Sequence, residues 1–354
     1  MSVVNLKSSP SGVSPRVTQW LWSVYGMIFC MVVIGGVTRL TGSGLSMVEW
    51  RPLMGSLPPL SETEWLRVFD LYKASPQYQE VNHWMTLSDF KAIFFWEYLH
   101  RLFGRLIGLV FFIPWLYFTL KGHLKGVIRN RAFIALLLGG SQGLLGWYMV
   151  KSGLVDQPEV SHFRLAAHLS LAFICGMWVF SLILTLTRSS LLQWKADREL
   201  YGFLALLILQ IVYGAFMAGT RAGYLYSTFP DLNGSWIAPQ WGMMSPWWKD
   251  LTSNPDSIHF IHRTLAWFVM IWGGRCAYKY WWTSAHKAAL AIGVMLGIQF
   301  ILGVCTVVFQ MPISIAAAHQ GGSFLLLTFT LYLIDQSAVY LASEDQLTKN
   351  QSML

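Results

Sequence analysis

Eight runs of about twenty mostly apolar residues divide this chain, at roughly 20–38, 93–120, 131–150, 165–187, 200–219, 258–281, 287–309 and 313–335. A run of that length spans the hydrocarbon of a bilayer, and in lipid such a segment satisfies its own backbone hydrogen bonds only as a helix. Of the 354 residues, 55% are hydrophobic and only 12% charged, against a usual charged share of about 25%. With a mean hydropathy of +0.47, the chain is not a soluble domain. The expected fold is an all-α integral membrane protein with eight transmembrane helices.

The first run begins about twenty residues in and has no small-residue cleavage site after it, so it reads as an anchor rather than a signal peptide. The first 48 residues hold no acid, Glu49 being the first, and only Lys7 and Arg16 are basic ahead of that run. This favours a bacterial inner-membrane protein, with the mitochondrial inner membrane as the alternative. Lysine and arginine set the orientation. Lys121, Lys125, Arg129 and Arg131 mark one inner loop, Arg188, Lys195 and Arg198 the next, and Arg275, Lys279 and Lys287 a third. On the other side, 151–164 carries only Lys151 and Arg164, and the turn from Met311 to Ser314 carries none. Both tails, 1–19 and 336–354, are therefore expected in the cytoplasm and the long loops 39–92 and 220–257 outside. The net charge of +8 is mostly this topology signal and gives no reason to invoke nucleic acid. Cys30, Cys175, Cys276 and Cys305 all fall in or beside spans, where they read as small core residues rather than disulfide or metal partners.

The chain also repeats itself. Val37-Thr38-Arg39, His100-Arg101, Gln142 with Gly146, and Ala166-Ala167-His168 are followed in the same order by Gly219-Thr220-Arg221, His262-Arg263, Gln299 with Gly303, and Ala317-Ala318-His319. Each landmark falls on the corresponding run, four runs to a half. Two pseudo-symmetric four-helix bundles related by duplication are expected, 20–187 and 200–335, repeated in parallel because four crossings is an even number.

Ionisable groups within a span are costly, so four histidines in matched places of a repeat point to a buried task. Histidines that face each other across a bundle hold a heme iron from both sides. His100 with His168, and His262 with His319, form two such pairs, each histidine within about ten residues of the outer end of its span. At 1.5 Å per residue that is no more than roughly 15 Å deep. Arg101, Arg105 and Arg263 lie close by and suit propionate carboxylates, as do Arg39 and Arg221 at the outer ends of the first and fifth spans. Snorkelling or helix-end anchoring is the competing reading of these arginines. His83, His123, His162 and His286 fall in loops or at span edges; His259, one turn before His262, shares its face.

Position 97 separates the halves. Glu97 precedes His100 by three residues, whereas the matching residue before His262 is His259. A carboxylate beside a buried heme suits proton movement or charge stabilisation; a local salt bridge to Arg101 or Arg105 is the plainer alternative. On the first reading the first half is the reaction site and the second a permanent cofactor site.

The residues Gly35-Gly36-Val37-Thr38-Arg39-Leu40-Thr41-Gly42-Ser43-Gly44-Leu45-Ser46 and Glu97-Tyr98-Leu99-His100-Arg101-Leu102-Phe103-Gly104-Arg105 resemble the heme A synthase family. The likeness continues through Ala167-His168, Phe260-Ile261-His262-Arg263 and Ala318-His319-Gln320 and covers nearly the whole chain. The outer stretch Trp50 to Pro59 and Tyr72-Lys73 to Pro76 look like the proteobacterial and mitochondrial branch. A cysteine pair found in the first outer loop of another branch is absent, so no thiol step carries over. The resemblance implies oxidation of a ring methyl of heme O to a formyl group, by successive hydroxylations, giving heme A for terminal oxidases. It implies heme b on His262 and His319, substrate heme near His100 and His168, and Glu97 as the functional acid. It implies heme O synthase as the upstream partner and contact with the terminal oxidase assembly machinery, in lipid; homo-oligomerisation stays open. A diheme quinol-oxidising cytochrome b, a transporter and a structural assembly factor are the competing functions. The loop 39–92 holds an amphipathic stretch, Glu62 to Tyr72, that either caps a pocket or lies on the membrane, and Trp236, Trp241, Trp247 and Trp248 suit an interfacial layer.

Overall fold

A computed structural model describes residues 14–49, 57–153, 158–187 and 197–351, and within them every regular element is a helix, with one isolated bridge between Leu232 and Ser235. Trp50 to Ser56 of the outer-loop motif, Lys7, Arg188 and Lys195 lie outside the described residues. The long helices are α1 (Pro15–Leu40), α3 (Leu87–Leu120), α4 (Gly126–Lys151), α5 (His162–Thr187), α6 (Arg198–Gly219), α8 (Pro255–Tyr280), α9 (His286–Val308) and α10 (Ile313–Gln351). Two short helices, α2 (Glu62–Lys73) and α7 (Trp247–Ser253), sit in the long loops. Seven of the long helices are long and apolar enough to cross a membrane, and the chain is a multi-pass membrane protein. The eighth, α8, has the 26-residue length of α1 but is diluted by His259, His262 and Arg263.

Helix ends follow local chemistry. Thr86 accepts from the Asp89 amide and Asp89 accepts from the Thr86 amide, a capping box that starts α3 six residues ahead of its apolar run. At 34 residues α3 is about 50 Å long, against about 30 Å of hydrocarbon, so its first turns stand clear of an apolar layer. There α2 packs on it through Phe69 and Tyr72 against Phe90. Pro114 lies inside α3 and has no N–H, which leaves the Val110 carbonyl without its usual helical donor. Trp20 of α1 fills that role, its Nε1 donating to Val110 at 2.9 Å. Residues 336–351, expected as a tail, continue α10, since no glycine or proline interrupts them.

In the first half α1 packs on α3 and α5, and α4 on α5 and α3; in the second α8 packs on α6 and α9, and α10 on α9 and α6. Contacts of α5 with α6, and of α10 with α1 and α5, join the two groups. The joint is dense. An added Cβ on Gly176 would come within 2.3 Å of the Phe324 ring, so only glycine lets α5 approach α10 here. Beside it Tyr25 and Thr328 share a buried hydrogen bond of 2.6 Å, and Gln320 Nε2 donates to the Val32 carbonyl at 2.7 Å.

Candidate functional site

A cavity of about 730 Å³ lies in the second half, within the usual range of roughly 300–1,000 Å³ for a small-molecule site. His262 from α8 and His319 from α10 both line it, and Leu169, Leu207, Ile211 and Val269 make its walls apolar. The Nδ1 atoms of His262 and His319 are buried without a hydrogen-bond partner, as are Oε1 of Gln210 and of Gln299. Buried polar atoms are ordinarily satisfied. Two imidazoles, each with an unpartnered ring nitrogen, in an apolar chamber fit a group that binds between them, with Gln210 Nε2 3.5 Å from His262 Nε2. Among the described residues no three His, Cys, Asp or Glu side chains gather as a metal site. Two imidazoles per half suit an iron that brings its other ligands with it, so the donor set fits heme.

Each histidine lies against a glycine of the preceding long helix. A Cβ on Gly214 would meet His262 Cε1 at 3.3 Å, and one on Gly303 would meet His319 Cε1 at 3.1 Å. In the first half the distances are 3.3 Å from Gly35 to His100 Nε2 and 3.0 Å from Gly146 to His168 Cε1. Gln142 Nε2 donates to the His168 carbonyl at 3.0 Å, and Gln299 Nε2 to the His319 carbonyl at 2.9 Å. The repeat read from the sequence thus holds at the level of side-chain contacts. His100 and His168 themselves stand outside the second-half cavity.

Glu97 is buried in a clamp. It accepts from Ser46 Oγ at 2.6 Å, from the Met47 amide at 2.8 Å and from Arg101 Nη2 at 2.5 Å, and Arg101 also donates to the Met47 carbonyl at 3.1 Å. The salt bridge weighed for this acid is present within α3, and the bonds to Ser46 and Met47 tie the loop after α1 to that helix. His259, at the matching place, is fully buried and its Nδ1 lies 2.9 Å from the Ala222 carbonyl. A carbonyl only accepts, so Nδ1 carries the proton. Both residues pin the chain just after the preceding helix, one through charge and one through a neutral ring.

The arginines divide. Arg39, Arg221 and Arg263 line the second-half cavity; Arg101 and Arg105 do not. Arg39 crosses from the first half and donates to the Ala218 and Gly219 carbonyls at 2.9 and 3.3 Å, covering the free end of α6. Arg221 sits at φ +54°, in the left-handed region, and pairs with Glu159 at 2.8 Å. Arg263 donates to the carbonyls of Asp231, at 2.5 Å, and Thr228, and so holds Phe229 over the cavity, while its buried Nε has no partner.

Several contributors escaped sequence reading. Gln210 and Gly214 belong to no motif, and Gly35, which opens the quoted glycine-rich stretch, was assigned no contact there. His162, read as a span-edge residue, places Nε2 2.9 Å from the Thr252 carbonyl and anchors α5 to the loop 220–257. Buried Asp250 gathers that loop, accepting from the Gly242 and Met244 amides, Asn254 and Ser257. Trp236, Trp241, Trp247 and Trp248 on the same loop are exposed, as an interfacial layer requires. All four cysteines are free.

Residues 18–331 match the COX15-CtaA family model, described as cytochrome oxidase assembly protein. A protein of Nitrosospira multiformis named heme A synthase is 42% identical over 337 residues, 91% of this chain and 93% of that one. Proteins of the same name from Nitrosomonas eutropha and Parvibaculum lavamentivorans are 37% and 40% identical, over 94% and 90% of this chain and 99% and 93% of theirs.

Proposed function

This chain belongs to the COX15-CtaA family of cytochrome oxidase assembly proteins, and we propose that it oxidises a ring methyl of heme O to the formyl group of heme A. The three named relatives, each matched over nearly its full length, support the enzyme over an electron-transfer cytochrome, a transporter or a purely structural factor. Supplying heme A is itself a step in building a terminal oxidase, so the family description and the activity agree. Eight spans form two four-helix bundles, α1, α3, α4 and α5 over 20–187, and α6, α8, α9 and α10 over 200–335. They sit in a bacterial inner membrane with both tails in the cytoplasm.

The observation that carries the division of labour is the second-half cavity, which both His262 and His319 line and neither His100 nor His168 does. His262 and His319 hold heme b there, and when bound it supplies an electron relay. The apolar walls keep water from the iron ligands. Arg39, Arg221 and Arg263 offer guanidinium groups toward the propionates. In the first half His100 and His168 hold the substrate heme. Glu97 sets the local charge beside it, and the Ser46 hydroxyl, already donating to Glu97 Oε2, is the group through which a proton reaches or leaves that carboxylate. Heme O synthase hands over the substrate, and the product goes to oxidase assembly.

The test is heme O conversion by the purified chain in lipid with an electron source. Heme A in the extract is the expected result. A chain that binds heme b yet never forms heme A from heme O would belong with electron-transfer cytochromes.

A further inference from the structure

The glutamine and glycine that mark the repeat on α4 and α9 have no part in the chemistry above. Gln142 and Gly146, like Gln299 and Gly303, are four residues apart and so share one face of their helix. On each helix that face meets the second histidine of its half in two shared ways, and on α4 the Gln142 amide nitrogen also lies 3.4 Å from His168 Nε2. The glutamine amide donates to the histidine's own carbonyl, at 3.0 Å to His168 and 2.9 Å to His319. The glycine leaves a notch in which the imidazole lies, where a Cβ would stand 3.0 Å from His168 Cε1 and 3.1 Å from His319 Cε1. Because the carbonyl can only accept, the amide nitrogen must face it. Its second lone pair is available even when the helical N–H takes the first.

We propose that the pair Gln-x-x-x-Gly is a positioning device that fixes the height and rotation of His168 and His319, and so the orientation of the imidazole each presents to heme. The glutamine sets how far α5 or α10 slides along its partner helix. The glycine sets how closely the ring lies against that helix and which way its plane turns. An alanine there cannot be ignored by the ring, since contacts of 3.0–3.1 Å are tighter than a Cβ normally makes and the ring must tilt or withdraw. Other glycines on the same two helices are different: a Cβ on Gly143 or Gly297 would meet nothing within 4 Å. The inference rests on heme ligation by these histidines.

The experiment uses the full chain purified with its bound heme b and reads the low-spin ferric electron paramagnetic resonance signal and the midpoint potential, both of which respond to axial imidazole orientation. Gly303→Ala should keep the heme and displace both readings, while Gly297→Ala leaves them at wild-type values. Gln299→Met, which keeps the length and removes the donor, should displace them in the same way, and Gln299→Glu, returned to a protonated donor at low pH, should recover part of the shift. If Gly303→Ala fails to accumulate, Gln299→Met carries the same test. Wild-type spectra in Gly303→Ala or, failing that, in Gln299→Met overturn the device. His319→Ala separates the two claims: full retention of heme b there means that the ligation reading, and not the positioning, has failed. Gly146→Ala should leave the heme b signal unchanged and lower heme O turnover, and a displaced heme b signal in that variant would also count against the assignment of one device to each half.

Discussion

On α9, Leu296 and Phe300 line the second-half cavity, and Phe300 packs on Trp267 with ring centroids 4.8 Å apart. Aligning Gln142 with Gln299 puts Gly139 and Gly143 at the matching places on α4, where an added Cβ would meet nothing within 4 Å. The inward face of α4 is closed lower down by buried Ala132 and Ala135 and then opens, whereas that of α9 stays closed from Ala288 to Leu296. The same scaffold of histidine, glutamine and glycine therefore carries a lined chamber in one half and open room in the other. A resident cofactor is held best by walls formed in advance. On the proposed reading the first half takes a substrate that must arrive, react and leave, and there the loop after α1 is fastened to α3 through Glu97 and Arg101.

That contrast can be broken from either side. The largest effect is expected from His262→Ala or His319→Ala: bound heme b is lost altogether, as pigment extraction reads, whereas His100→Ala and His168→Ala retain it. Next is Glu97→Gln, which should cut heme A formation by on the order of 100-fold, the lower end of what a positioned acid or base supplies, while heme O accumulates and heme b stays. An undiminished rate would reduce Glu97 to a fastener of the loop. Gly143→Phe places in the first half the side chain that the second half carries; it should fold, keep heme b, and lower turnover by about tenfold, the effect of roughly 1.4 kcal/mol lost in substrate binding. If turnover is untouched, the open room has no bearing on the substrate. Arg263→Ala frees the carbonyls of Thr228 and Asp231 and should weaken heme b retention by about 1–3 kcal/mol, measured by heme transfer to an apo-acceptor. Tyr25→Phe is expected to be smallest, about 0.6 kcal/mol in thermal unfolding, since it removes one hydrogen bond between spans at the joint of the halves.

Much of this was legible because the bilayer enforces it. Each apolar run became a helix, and Glu62 to Tyr72 became α2 because Ser61 caps it and Phe69 and Tyr72 share its buried face. The matched histidines were legible because charge and polarity are rare in a span, so each stands out against its surroundings. What stayed hidden depends on chain segments far apart in sequence. Glu97 finds Ser46 and Met47 some fifty residues away, and Arg39 lines a cavity in the opposite half. Neither pairing leaves a periodic mark. Gly214 was hidden for another reason: counted back from Arg221 it lies one helical turn out of register with Gly35 counted back from Arg39, so the repeat does not flag it, although each glycine lies against the first histidine of its half.

The most direct test of the division between halves is heme analysis of the chain purified after co-production with a heme O synthase, comparing wild type, Glu97→Gln and His262→Ala. Wild type should yield heme b with heme A, Glu97→Gln heme b with heme O, and His262→Ala no heme b. Loss of heme b from Glu97→Gln together with its retention in His262→Ala would place the resident heme in the first half and contradict the account.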